Sequence, residues 1–155
     1  MHKDIKIMIE LQRYWQNIVS SKKAVDKNNS ILAKKVEELD KKQKSLDSLI
    51  TIIKEQKNKN KQFDLELIEK DEKLKKLRER KLNLTAEKEI KAIDKEITTL
   101  EIEVDDIENT SLSMIEELEQ SETEHDNLTD EIKTKDTQLK EDKSYINDKN
   151  IKENE

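Results

Sequence analysis

Apolar residues recur along most of this chain at alternating steps of three and four. That spacing places one stripe of a helix against a partner helix. The second half is the clearest case. Ala86, Ile90, Ile93, Ile97, Leu100, Val104, Ile107, Ser111, Met114, Leu118, Ser121, His125, Leu128, Ile132, Lys135, Leu139, Asp142 and Ile146 hold one phase. Most are aliphatic, and the polar members gather toward the C-terminus. In the first half Leu11, Ile18, Val25, Leu32, Leu39, Leu46 and Ile53 recur every seventh residue. A companion row of Met8, Trp15, Lys22, Asn29, Val36, Gln43 and Ile50 is more polar. The pattern lapses over Lys57–Gln62 and resumes at Phe63, Leu67, Lys70, Leu74, Leu77, Lys81 and Leu84. This reading carries a phase shift equal to a three-residue insertion, so it predicts a local irregularity near residues 54–62.

Between the halves lies Leu82-Asn83-Leu84-Thr85-Ala86-Glu87. Asn tolerates the left-handed conformation that ends helices. Thr85 suits an N-cap, with Ala86 and Glu87 as first helical residues. Acidic Glu87 and Glu89 fit a helix start, and Arg78, Arg80 and Lys81 fit the preceding helix end. The expected fold is therefore all-α, a long antiparallel two-helix coiled-coil hairpin forming one domain over residues 1–155. Its ascending arm is 1–82, its turn lies near 83–85, and its descending arm is 86–155.

Composition reinforces this. Glycine, proline and cysteine are absent from all 155 residues, which removes the usual means of making tight corners. Charged residues make up 44% and hydrophobic ones 32%, enough for a narrow seam and too little for a large core. Residues 1–85 carry 22 Lys/Arg and 14 Asp/Glu; residues 86–155 carry 9 and 23. Glu96–Glu131 contains no Lys or Arg. A fold-back at Asn83–Thr85 makes paired residue numbers sum to about 167, setting this acidic stretch beside residues 36–71 and their lysines. An antiparallel homodimer of straight rods, or a domain-swapped form, satisfies the same charges. The chain lacks an apolar run of membrane-spanning length and a signal-peptide pattern, so it reads as cytoplasmic with no membrane span.

Candidate chemistry is sparse. Carboxylate pairs such as Asp105-Asp106 and Glu116-Glu117 abound, but a catalytic pair needs a partly dry cleft, which two helices do not offer. His125 falls on the seam, facing roughly Gln43, and has no second ligand four residues on. Without glycine there is no phosphate-cradling loop. The expectation is a protein that is not an enzyme, with no catalytic, cofactor-binding or metal residues. Lys22, Asn29 and Gln43 read as polar seam positions that fix register. The basic stretch of Lys70, Lys73, Lys75, Lys76, Arg78, Arg80 and Lys81 is a candidate nucleic-acid patch. A solvated helix face is the blander reading, because the neighbouring arm is acidic and the tip has no aromatic residue for base stacking. Two protein-docking surfaces are expected. One is the tip, with Lys81, Leu82, Leu84, Ala86 and Glu89; its plainer reading is that Leu84 and Ala86 close the seam. The other is the open end, with Met8, Leu11, Tyr14 and Trp15, where Trp and Tyr are favoured interface anchors. Trp15 has seam packing as its default role.

From Thr85 onward the residues resemble a known family. Lys88, Glu89, Ala92, Ile93, Glu96 and Ile97, followed by Leu100, Ile107-Glu108 and Met114–Glu119, are similar to the tip and descending arm of bacterial C4-type zinc-ribbon coiled-coil proteins. The resemblance implies a helical hairpin followed by a zinc ribbon with two Cys-x-x-Cys pairs. It further implies adaptor or chaperone roles tied to flagellar or type III secretion, to the alternative sigma factor 54, and to nucleic acid. This chain departs from the family in having no cysteine. Zinc is thus expected only if a C-terminal ribbon follows, and only the scaffold and protein-binding roles carry over. The alternative is a structural spacer or oligomerisation arm of a larger assembly.

Overall fold

The computed structural model describes the backbone of residues 2–154, with the side chains of Asn150 and Lys152–Asn154 left out. It consists of two helices, α1 (His2–Leu82) and α2 (Glu87–Asn154), joined by a short turn. The helices pack on each other as an all-α helical hairpin. Two compact units are distinguished within it. Unit one is Met1–Leu46 with Leu128–Glu155, and unit two is Asp47–Asn127.

Unit two contains the turn and the main core. Leu74, Ile93, Ile97 and Val104 are buried together, with Leu67, Leu77, Leu84 and Leu100 packed against them. In unit one Leu46 and Leu139 are the buried apolar side chains among the described residues. No large side chain among the described residues is fully enclosed, as expected when each seam position has water on both flanks.

The α2 stripe follows the sequence reading closely. From Ile90 to Ile146 every position of the row is at least half-buried, and Ile93, Ile97, Val104, Ser111 and Leu139 are buried. Ala86 alone is exposed. Along α1, Val25, Leu32, Leu39, Leu46 and Ile53 also line the seam, whereas Leu11 and Ile18 are exposed.

The companion row of α1 differs from expectation by one residue. Lys22, Asn29, Val36, Gln43 and Ile50 are all exposed, as are Met8 and Trp15. The seam instead uses Ser21, Asn28, Lys42 and Leu49, each one position earlier. With this row the alternation runs unbroken through Ile53, Gln56, Asn60, Phe63, Leu67, Lys70, Leu74, Leu77, Lys81 and Leu84, all partly or fully buried. There is no insertion and no irregularity at 54–62; α1 continues as regular helix. The lapse is polar residues occupying true seam positions.

The turn is one residue longer than expected, spanning 83–86, so α2 starts at Glu87 rather than Ala86. Asn83 N–H donates to the Arg80 carbonyl at 3.1 Å and Leu84 N–H to the Lys81 carbonyl at 3.2 Å. These three-residue bonds satisfy carbonyls that the helix end leaves free. No described residue has positive φ, so Asn83 ends α1 without a left-handed turn. Ile90 N–H donates to the Ala86 carbonyl at 3.0 Å, which puts Ala86 rather than Thr85 at the N-cap position. Leu84 turns into the seam and holds Leu84–Ala86 outside either helix, which delays the start of α2.

Candidate protein-docking surface

Ion pairs between α1 and α2 fix the register inside each unit. In unit two they are Lys57–Glu122 at 3.5 Å, Lys70–Glu103 at 2.6 Å, Arg78–Glu101 at 2.9 Å, and Lys81–Asp94. In unit one they are Lys35–Asp142 at 2.5 Å and Lys42–Glu131. The pair sums run from 173, for Lys42–Glu131, to 179, for Arg78–Glu101, rather than about 167. Side-chain direction accounts for the difference. Cα–Cβ bonds tilt toward the N-terminus of each helix. On α1 this tilt points away from the turn and on α2 toward it. An α1 side chain therefore meets an α2 partner whose backbone lies further from the turn.

The same pairs change the reading of the basic stretch. Lys70, Arg78 and Lys81 are engaged by carboxylates of α2. Lys73, Lys75, Lys76 and Arg80 are exposed and make no ion pair among the described residues. Three of the seven cations of the stretch are thus neutralised by its own partner helix. Where Lys42 meets Glu131, the hydrogen bond between them holds the lysine pKa above its ordinary value and the carboxyl below its own.

Polar seam positions fall on other residues than Lys22, Asn29 and Gln43. Gln56 Oε1 and Asn60 Oδ1 are buried and have no hydrogen-bond partner among the described residues. His125 is half-buried, and its Nδ1 lies 3.2 Å from Asp126 Oδ1. No group of three or more His, Cys, Asp or Glu side chains is placed to hold a metal among the described residues. No described helix is long and apolar enough to cross a membrane.

The tip and the open end differ sharply in what they present. At the tip Leu84 and Lys81 are half-buried, Lys81 by its pairing with Asp94. Ala86 and Glu89 are exposed but small or charged. Leu82, at 85% exposure, is the one large apolar side chain the tip offers. At the open end Ile5, Ile7, Met8, Ile9, Leu11, Tyr14, Trp15 and Ile18 are between 54% and 71% exposed. Trp15 does not pack in the seam; the one-residue correction of the companion row moves it to the flank. Ile5, Ile7 and Ile9 were noticeable in the sequence only as an apolar crowd. The seam phase is what assigns Ile7 a place.

Comparison with family models, with curated proteins and with solved structures finds no match for this chain.

Proposed function

We propose that this chain is a non-enzymatic docking scaffold, an adaptor-type helical hairpin that binds protein through the N-terminal part of α1. The observation that carries the reading is the exposed apolar face of Ile7, Met8, Leu11, Tyr14, Trp15 and Ile18. Isolated exposed apolar residues are ordinary, but a contiguous group including Trp and Tyr is the composition of an interaction site. The resemblance to zinc-ribbon hairpin proteins agrees with an adaptor or chaperone-like role, and secretion or sigma-factor components are the partner class it suggests. The surface grooves favour no reaction chemistry. One of them, about 650 Å³ in unit one, is open and lined by Ala33, Val36, Leu39, Thr129 and Ile132 among others.

The tip is the lesser docking candidate, because one leucine supplies its large apolar area. The basic stretch is lesser still as a nucleic-acid site, because acids of α2 hold three of its seven cations. Two double variants test the reading. Leu11→Ser with Trp15→Ser is expected to abolish partner capture with helicity unchanged. Leu82→Ser with Leu84→Ser is expected to leave capture intact. The reverse outcome would move the docking site to the tip, and capture unaffected by either pair would favour a spacer.

A further inference from the structure

The α1 seam does not stop where its burial stops. Counting back from Val25 and Ser21 in the same alternation of four and three gives Ile18, Tyr14, Leu11 and Ile7. All four are more than half exposed. Met8 and Trp15 sit immediately beside them on the helix, one residue after Ile7 and Tyr14, and widen the stripe into a face; Ile5 and Ile9 lie off it. The stripe is thus a direct, in-phase continuation of an interface already built, and it is exposed to water among the described residues. An apolar face in coiled-coil phase calls for another helix rather than for a flat or globular surface.

We propose that this face pairs with the same segment of a second copy, antiparallel, joining two hairpins end to end. The proposal names the partner for the docking surface described above and rests on that reading. Three features favour a second copy. First, the segment is self-complementary. In antiparallel pairing the two seam rows meet each other, so Ile7 stands opposite Ile18 of the second copy and Leu11 opposite its Tyr14. The same alignment brings Met8 alongside Trp15, a favourable sulfur–aromatic combination. An isologous two-fold contact needs this reciprocity. Second, the segment is nearly neutral: Lys3, Lys6 and Arg13 stand against Asp4 and Glu10. Two copies therefore meet here without the repulsion that pairing of the acidic Glu96–Glu131 stretch would bring. Third, the area suffices. Six large side chains with more than half their surface exposed offer roughly 600–700 Å² per copy, near the ~800 Å² per partner of a standard interface. A helix pair of that size associates weakly to moderately, with a dissociation constant on the order of 1–100 µM.

The single tryptophan and the absence of cysteine make the test direct. Sedimentation equilibrium of the full chain over about 1–300 µM, bracketing that range, is run beside Trp15 emission and its quenching by iodide. The expected result is a concentration-dependent rise from 18.4 kDa to twice that mass. Trp15 emission should shift to shorter wavelength over the same range. Leu11→Lys should weaken the association at least tenfold with unchanged helicity, since Leu11 is exposed within the single chain. Register is read by oxidation. Ile7→Cys alone should not cross-link, whereas its mixture with Ile18→Cys should. Cross-linking of Ile7→Cys alone would overturn the antiparallel pairing. A chain that stays monomeric throughout overturns the proposal. In that case, Trp15 shielded on adding a protein fraction from the source cell leaves the docking reading standing with another partner. Trp15 shielded by anionic lipid vesicles instead makes the face a membrane-surface element. Trp15 freely quenched under all conditions overturns both the pairing and the docking reading.

Discussion

Replacing Gln56 and Asn60 together by leucine should stabilise this protein. Both occupy seam positions of α1, and each holds a buried amide oxygen without a hydrogen-bond partner. An unpaired buried polar group costs roughly 1–3 kcal/mol, and burying a leucine contributes roughly 1.5–3 kcal/mol. These positions are only partly buried, so about half of the combined effect applies, or roughly 1–3 kcal/mol per site. The pair should then add about 2–6 kcal/mol, equivalent to a rise of roughly 4–24 °C in Tm for a chain of this size. Thermal and guanidinium unfolding followed by far-UV circular dichroism measure it, with each single variant run beside the double. The flanking apolar layers, Ile53 on one side and Phe63 on the other, supply packing for the new side chains. A double variant no more stable than the parent, or less so, would refute the reasoning. It would mean that ordered water or a shifted rotamer satisfies both amides, or that they do not face α2. A gain in stability accompanied by new oligomers would instead identify Gln56 and Asn60 as the register-fixing groups of the seam.

Leu74→Ala, at the centre of the unit-two core, should cost about 2–3 kcal/mol, the lower part of the range for buried leucine because the seam is narrow; denaturant midpoints check it. Glu131→Gln should lower the unfolding midpoint near neutral pH. Because the Glu131 pKa is depressed in the folded state, its contribution is present above its ordinary value of 4.5 and is lost as pH falls through the folded value. The raised pKa of Lys42 works in the opposite sense. Its contribution is complete below 10.5 and is lost as pH rises through the folded value. The gap between parent and variant midpoints should therefore close at both ends of a pH series. Leu82→Ser, at a side chain that touches little, should change stability by no more than ~0.5 kcal/mol.

Much of this structure was legible in the residues, for identifiable physical reasons. The α2 stripe could be read position by position because Ile90 to Leu118 is nearly all aliphatic and admits one phase. The turn was legible from composition, because Asn83 and Thr85 interrupt apolar seam residues between a basic helix end and an acidic helix start. In α1 the companion row was ambiguous. Leu49 and Ile50 are both apolar, and Val36 beside Lys35 favoured the wrong choice. The phase downstream of Phe63 resolves it only if Gln56 and Asn60 are accepted as core residues, which their polarity argues against. The register was offset because residue counting ignores the lean of side chains along each helix. As to the docking surface, Met8, Leu11, Tyr14 and Trp15 were visible by type. Their exposure was not visible, because it depends on which row faces α2. Trp15 is the clearest example: one residue of phase separates a packed seam position from an exposed flank.

Docking is assigned above to the apolar face of residues 7–18. Photo-cross-linking in the source cell tests it most directly, with a photoreactive residue placed in turn at Leu11, Leu82 and Lys75. A discrete protein adduct is expected from Leu11, whether with a second copy or another chain, and little from Leu82 or Lys75. Adducts confined to Leu82 or Lys75, with none from Leu11, would contradict it.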